Sequence, residues 1–226
     1  LREVLQERLP EAKIYNDFWS LPDSETFDAI IANPPYINHS HIENKEVLHR
    51  RLSSEFGIEF PKTSNLALLF YLESWRRLKV GGRMIFLIPT EFMQVLSGKK
   101  FKEWLTDTQG GQVVHIVDLS SKDLFGKDVV STACLVLAEK TIPKKVPTEV
   151  LFSEHTGQSP FPSWSDQEKQ AKRILRDEIN HDIRWKANRE PAHKGKTQKL
   201  SELLDISSGH ITGNNSLFLI SYPEAI

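Results

Sequence analysis

The sequence Phe27-Asp28-Ala29-Ile30-Ile31-Ala32, followed directly by Asn33-Pro34-Pro35-Tyr36, decides the fold and points to a site. The first six residues form a compact apolar run, which is typical of a strand buried on both faces of a parallel sheet. In open α/β sheets, ligands bind beyond the carboxyl ends of the strands. We therefore expect residues 33–36 to lie in a ligand site.

The rest of the first 140 residues alternates between strand and helix patterns. Further strands are predicted at 13–15, 84–89, 113–117 and 133–138. Helices are predicted over 66–78, ending at Gly81-Gly82, and around Phe101, Trp104 and Leu105, ending at Gly110-Gly111. This alternation predicts a doubly wound α/β sheet. No helix separates the last two strands, so we expect them to form an antiparallel hairpin at the edge of the sheet.

Composition and charge exclude several classes of protein. The chain has 226 residues, of which 39% are hydrophobic and 26% charged, so it is neither disordered nor membrane-like. Its net charge of −1 does not indicate a nucleic-acid binder, although residues 168–199 hold ten Lys or Arg against five Asp or Glu. One cysteine excludes an internal disulfide framework and a cysteine-based zinc site, and no signal peptide opens the chain. A cytoplasmic location is expected.

The domain organisation follows from shifts in pattern along the chain. Residues 1–140 are predicted to be a catalytic domain, and the proline-punctuated residues 141–199 a linker. Residues 200–226 are predicted to begin a second domain. Both ends resemble cuts through a longer protein, since the first helical pattern has no cap before it.

The tetrapeptide at 33–36 suits recognition of an amino group. Asn33 offers an amide oxygen, and the Pro34 carbonyl can be a second acceptor with no local N–H competing for it. Pro35 keeps the preceding residue extended, and Tyr36 supplies a flat ring for stacking. Two acceptors that bind both hydrogens of an aromatic amine localise its lone pair for attack on a methyl donor. The alternative is a rigid turn without chemistry.

A run of Asn-Pro-Pro-Tyr after a hydrophobic strand resembles the S-adenosylmethionine-dependent amino-methyltransferases. The best resemblance is to the DNA adenine-N6 methyltransferases of restriction-modification systems, whose recognition domain follows the catalytic domain. It covers most of residues 13–140 and a second patch at 200–220, within which residues 209–218 resemble the opening of the recognition domain. The resemblance implies a Rossmann-like methyltransferase sheet, S-adenosylmethionine as cofactor, double-stranded DNA as partner, and a restriction nuclease domain or subunit as a further partner, without a membrane.

The resemblance also implies roles for individual residues at the substrate base. Asn33 and the Pro34 carbonyl would hold the N6 amino group, and Tyr36 would stack on an adenine flipped out of the duplex. Phe125 would close on the other side of that base.

A second set of residues is implied at the cofactor. Asp17 lies 16 positions before Asn33, as in the family, and would accept from the amino group of the cofactor's adenine. Phe18 would pack on that ring, while Asn65 and Asn33 would border the cofactor pocket.

Two elements of the family pattern are missing, and three rival readings stay open. The glycine-rich cofactor loop and the acidic residue for the ribose should precede residue 13, so the chain by itself is expected to bind cofactor poorly.

The rivals are a protein glutamine-amide methyltransferase, an RNA guanine amino-methyltransferase and a catalytically silent DNA-binding subunit.

Overall fold

The computed structural model describes most of the first 180 residues. The described residues are 2–15, 17–36, 45–59, 66–95, 98–119, 132–155, 163–179, 181 and 185. The chain divides into two units, Leu1–Asn188 and Arg189–Ile226, and every described residue lies in the first. The patch at 209–218 and the predicted domain at 200–226 therefore lie outside the described residues.

Helices and strands alternate through the described residues. The strands are β1 (Phe27–Ala32), β2 (Leu78–Pro89), β3 (Val113–Asp118), β4 (Ala133–Glu139), β5 (Glu149–Glu154) and β6 (Lys172–Leu175). The helices are α1 (Arg2–Arg8), α2 (Lys45–Phe56), α3 (Leu66–Arg77), α4 (Glu91–Gln94), α5 (Lys99–Thr106) and α6 (Trp164–Gln170). Short 3₁₀ helices occur at Phe18–Ser20, Pro143–Lys145 and Arg176–Glu178. The predicted strand at 13–15 is not formed.

The six strands form one mixed sheet in the order β1-β2-β4-β3-β5-β6. The pairs β1·β2 and β3·β5 are parallel, and the other pairs are antiparallel. The predicted α/β fold and the antiparallel pairing of β3 with β4 are confirmed. The predicted position of that pair at the sheet edge is wrong, because β4 lies between β2 and β3, and β5 extends the sheet beyond β3.

The sheet also extends into the predicted linker. Within 141–199, β5 and β6 join the sheet, and Val150 and Phe152 of β5 are buried. Trp185 is buried as well, and its backbone N–H donates to the Met93 carbonyl. The prediction of a linker beginning at residue 141 is wrong in this part. The prolines that suggested it include Pro143 and Pro147, which lie in the connection before β5.

The main core lies on one face of the sheet, under α3 and α5. Met84, Phe86 and Ile88 of β2 are all buried there. Tyr71 of α3 is completely buried and packs edge-on against Phe86, with ring centroids 5.0 Å apart. Burial of this apolar area is the main stabilising term of such a layer.

The opposite face of the sheet is more open. Ile31, Ile85, Leu137 and Leu151 are in register across it, with His115 between the last two. Ile31 is 87% exposed, so the prediction that β1 is buried on both faces is wrong. Strand β1 lies at the sheet edge, and one of its faces has no helix over it among the described residues. Within those residues, no helix has both the length and the apolar character needed to cross a membrane.

The predicted helix end at Gly81-Gly82 is also wrong in its position. Helix α3 ends at Arg77, and β2 begins at the next residue and runs through both glycines. Gly81 has a φ of +89°, a conformation that glycine adopts without strain. With this backbone conformation, the Gly81 N–H donates to the Lys140 carbonyl, and the Lys140 N–H donates to the Gly82 carbonyl.

Candidate active site

The tetrapeptide at 33–36 begins where β1 ends. Ala32, the last residue of β1, is in register with Phe86 in the parallel strand β2, so Asn33 lies at the carboxyl ends of these two strands. Pro34 is buried, whereas Asn33 and Pro35 are exposed. The Asn33 side chain makes no hydrogen bond within the described residues. Its amide oxygen is therefore available to an incoming donor.

Tyr36 is held against β2 by its hydroxyl. The phenol oxygen donates to the Leu87 backbone carbonyl at 3.1 Å, while 38% of the residue stays exposed. Burial, with a smaller contribution from Cys134, raises the pKa of Tyr36 to about 12. The hydroxyl therefore stays a donor throughout the neutral range, and the ring keeps an accessible surface at the carboxyl end of the sheet.

The connection from β3 to β4 starts and ends at this same edge. The Leu119 N–H donates to the Ala133 carbonyl at 2.9 Å. The Thr90 N–H, just beyond β2, donates to the Thr132 carbonyl, and the two threonine hydroxyls lie 2.7 Å apart. Phe125 lies in that connection but outside the described residues, so its role stays a prediction.

The predicted cofactor pair precedes β1 and packs on α3. One carboxylate oxygen of Asp17 accepts from the Trp19 N–H at 3.2 Å and caps the 3₁₀ helix Phe18–Ser20. The Phe18 ring is half-buried and stacks on Phe70 of α3, with centroids 4.9 Å apart and planes 21° from parallel. Trp19 contacts the same Phe70 ring at 4.7 Å.

Asp17 and Phe18 offer the two kinds of group predicted for an adenine site, and their role stays a prediction. Asp17 is exposed, and its second carboxylate oxygen accepts no hydrogen bond within the part of the chain that the structure describes. A free carboxylate oxygen accepts from an amino group, and an aromatic ring beside it can cover the base. No ring contact or hydrogen bond joins this pair to Asn33 among the described residues. Asn65 lies outside them.

A cavity of about 450 Å³ borders Phe18, but it is not the site predicted at Asn33. Its wall includes Phe27, the first residue of β1, so the cavity extends toward the amino end of that strand and away from Asn33. Neither Asp17 nor Asn33 lines it.

Sequence reasoning missed a buried group of charges on α3, the helix on which Phe18 packs. Glu73 and Arg77, four positions apart on α3, are 1% and 2% exposed and lie 2.7 Å apart. Burial alone would raise the pKa of Glu73, but hydrogen bonds from Arg76 and Arg77 lower it below its ordinary value. A glutamate and an arginine at i and i+4 in an otherwise apolar helix were the available signal.

Comparison with known proteins places this arrangement in a family. A family model described as the Eco57I restriction-modification methylase matches residues 3–125. The chain is 26% identical to the type II methyltransferase M.AccI of Acinetobacter calcoaceticus over 222 residues, which cover 94% of this chain and 39% of that protein. It is also 26% identical to M.XamI of Xanthomonas campestris pv. amaranthicola, with 88% and 37% covered. The chain thus spans less than two fifths of these relatives.

Solved structures share the fold. The type IIG restriction endonuclease BpuSI superposes with a TM-score of 0.55 at 16% identity, covering 75% of this chain and 22% of that one. The DNA-bound type ISP enzyme LlaBIII superposes with a TM-score of 0.57 at 12% identity, covering 77% of this chain and 14% of that one. The predicted Rossmann-like methyltransferase sheet is confirmed. Since the family model matches more than half of the chain and includes both Asp17 and the tetrapeptide at 33–36, the chain belongs to the Eco57I restriction-modification methylase family.

Proposed function

We propose that this chain supplies the catalytic part of an enzyme that transfers a methyl group from S-adenosylmethionine to the N6 amino group of adenine in a specific double-stranded DNA sequence. The observation that carries the proposal is the exposed Asn33 at the end of β1, which has no hydrogen-bond partner among the described residues. Three positions later in the chain, the Tyr36 hydroxyl is bonded to β2. Membership of a restriction-modification methylase family supports the class of reaction.

Asn33 and Pro34 act by binding and orienting the amine. The Asn33 amide oxygen and the Pro34 carbonyl accept its two hydrogens, which draws the nitrogen toward tetrahedral geometry and localises its lone pair. The bound cofactor supplies the electrophilic methyl group. No strong base is needed before attack, because positioning and electrostatics lower the barrier.

Tyr36 holds the flipped adenine. Because the hydroxyl is occupied by the Leu87 carbonyl, the ring rather than the hydroxyl is the part offered to the base. Stacking on this ring replaces the stacking on neighbouring bases that the adenine gives up when it leaves the duplex. We assign Phe125, in the connection between β3 and β4, to the other side of the base.

Asp17 and Phe18 would hold the adenine of the cofactor, through a carboxylate acceptor and a ring face. The resemblance adds Asn65 and Asn33 to the border of the same pocket. Residues 200–226 are proposed to begin the domain that recognises the DNA sequence, and a restriction nuclease domain or subunit is the proposed functional partner.

Product analysis tests the proposal against its rivals. The full-length protein is incubated with cofactor carrying a labelled methyl group and with DNA, RNA or protein, and each product is hydrolysed and separated. We expect the label in N6-methyldeoxyadenosine from DNA. Label in another base, in RNA or in glutamine would overturn the assignment, and so would no incorporation by a protein that binds cofactor and DNA.

Membership of a restriction-modification methylase family favours DNA over the other substrates.

A further inference from the structure

We propose that Arg77 is a positioning residue for cofactor binding, because it holds the loop of residues 21–25 that joins the Asp17-Phe18 pair to β1. The inference rests on the proposed function, since it assumes that this pair meets the cofactor. It adds a residue that never touches the cofactor and acts through the backbone of that loop.

The Arg77 guanidinium is bonded to the loop backbone on two of its nitrogens. Nη1 donates to the Pro22 carbonyl at 2.6 Å and to the Glu25 carbonyl at 3.4 Å. Nη2 donates to the Leu21 carbonyl at 3.0 Å. One planar guanidinium thus satisfies three backbone carbonyls of an irregular loop.

Glu73 fixes the orientation of that guanidinium. It accepts from Arg77 Nε at 2.7 Å, and also from Arg76 and from Arg51. Arg76 in turn donates to Asp23 of the loop at 2.7 Å. The buried carboxylate is therefore fully hydrogen-bonded, and the arginine it orients has little rotational freedom left.

Helix α3 thus holds both ends of the segment of residues 18–25, which precedes β1. Phe70 packs on Phe18 and Trp19 at one end, and Arg77 holds residues 21–25 at the other. Phe70 and Arg77 are two helical turns apart and lie on the same face. The helix therefore sets the position of Asp17 relative to β1, and through β1 its position relative to Asn33.

The test separates this positioning role from general stability. Arg77→Met removes the contacts that Arg77 itself makes to the loop and leaves the bond from Arg76 to Asp23. Arg77→Lys keeps the charge opposite Glu73 so that the domain folds, but loses the planar fork. Arg51→Met is the matched control, because it removes a bond to Glu73 and none to the loop. Hydrogen exchange is followed on peptides from residues 17–26 and from β2, and steady-state kinetics on the full-length protein.

In both Arg77 variants, peptides from residues 17–26 should exchange hydrogen faster than in wild type. Peptides from β2 should exchange at the wild-type rate. The KM of both variants for S-adenosylmethionine should rise about tenfold or more, with the KM for DNA within about twofold of wild type. Arg51→Met should leave the exchange at 17–26 and the cofactor KM unchanged.

Unchanged exchange at 17–26 in both Arg77 variants would overturn the proposal. Faster exchange with an unchanged cofactor KM, or equal rises in the cofactor and DNA KM, would overturn it as well. Failure of the proposed function is recognised separately, because the wild-type protein would then show no cofactor-dependent methylation even though its loop exchanges slowly.

Discussion

The Tyr36 hydroxyl donates a hydrogen bond to the Leu87 backbone carbonyl across 51 positions of sequence. Leu87 lies near the carboxyl end of β2, where it pairs with Leu135 of β4, so the bond ties the tetrapeptide to that end of the sheet. An exposed tyrosine normally samples several rotamers. The hydrogen bond restricts this one, which would lower the entropy cost of the proposed stacking on a base.

Tyr36→Phe keeps the ring and removes this tether. We expect the KM for DNA to rise by a factor of about three to ten, because a single neutral hydrogen bond contributes about 1 kcal/mol. Tyr36→Ala should raise the KM for DNA considerably more, because it also removes the stacking surface. Steady-state kinetics of both variants check this, and equal losses in the two would mean that the ring does not stack.

Glu73→Leu should destabilise the fold strongly. The substitution leaves the buried Arg77 without its carboxylate, and breaking such a pair costs about 3–5 kcal/mol. Chemical denaturation at neutral pH measures the loss. As a control, Glu139→Leu removes a half-exposed partner of Arg83 and should change the free energy of unfolding by less than about 1 kcal/mol. Similar losses in the two variants would contradict the role given to Glu73.

His115 should make stability depend on pH below neutrality. It is buried between β5 and α6, hydrogen-bonded to Ser153 at 2.9 Å and packed on Trp164. Burial lowers its pKa to about 4, partly opposed by Glu168. The unfolded state therefore binds a proton at higher pH than the folded state does, and stability falls as the pH drops from about 6.5 to 4.

The shift in the pKa of His115 limits this loss of stability to about 3 kcal/mol. Thermal unfolding of wild type and of His115→Gln across this range measures it, because the variant cannot titrate. As the pH falls, wild type should lose stability relative to the His115→Gln variant. A difference that stays constant from pH 7 to 4 would show that His115 does not titrate as its burial requires.

Tyr71→Phe should be neutral or stabilising. The Tyr71 hydroxyl is completely buried and has no hydrogen-bond partner among the described residues. An unsatisfied buried hydroxyl costs about 1–3 kcal/mol, whereas phenylalanine fills the same space. Urea unfolding of the variant checks this. A loss of stability above about 1 kcal/mol would mean that the hydroxyl has a bonding role.

The sequence predicted the fold well wherever a regular pattern dominated. The apolar periodicity of 66–78 anticipated α3 to within one residue, and the runs at 113–117 and 133–138 anticipated β3 and β4. Strand order was less accessible. That β4 inserts between β2 and β3 depends on long-range pairing, which local patterns do not encode.

Burial and domain limits were harder to predict for the same reason. β5 has only six residues, and the prolines around it are typical of a linker, so its membership of the sheet was missed. The exposure of Ile31 depends on what covers that face. For the candidate site, the tetrapeptide predicts roles for Asn33 and Tyr36. The tether to Leu87 and the contacts of Arg77 join residues about 50 positions apart and had no local signal.

The most direct test of the proposed chemistry is Asn33→Ala in the full-length protein. Transfer of labelled methyl from S-adenosylmethionine to DNA is followed under single-turnover conditions, with thermal unfolding to confirm the fold. We expect the rate to fall by about 10²-fold or more, because one of the two acceptors that orient the amine is lost, while the melting temperature stays unchanged since Asn33 is exposed. Transfer at the wild-type rate would contradict the account.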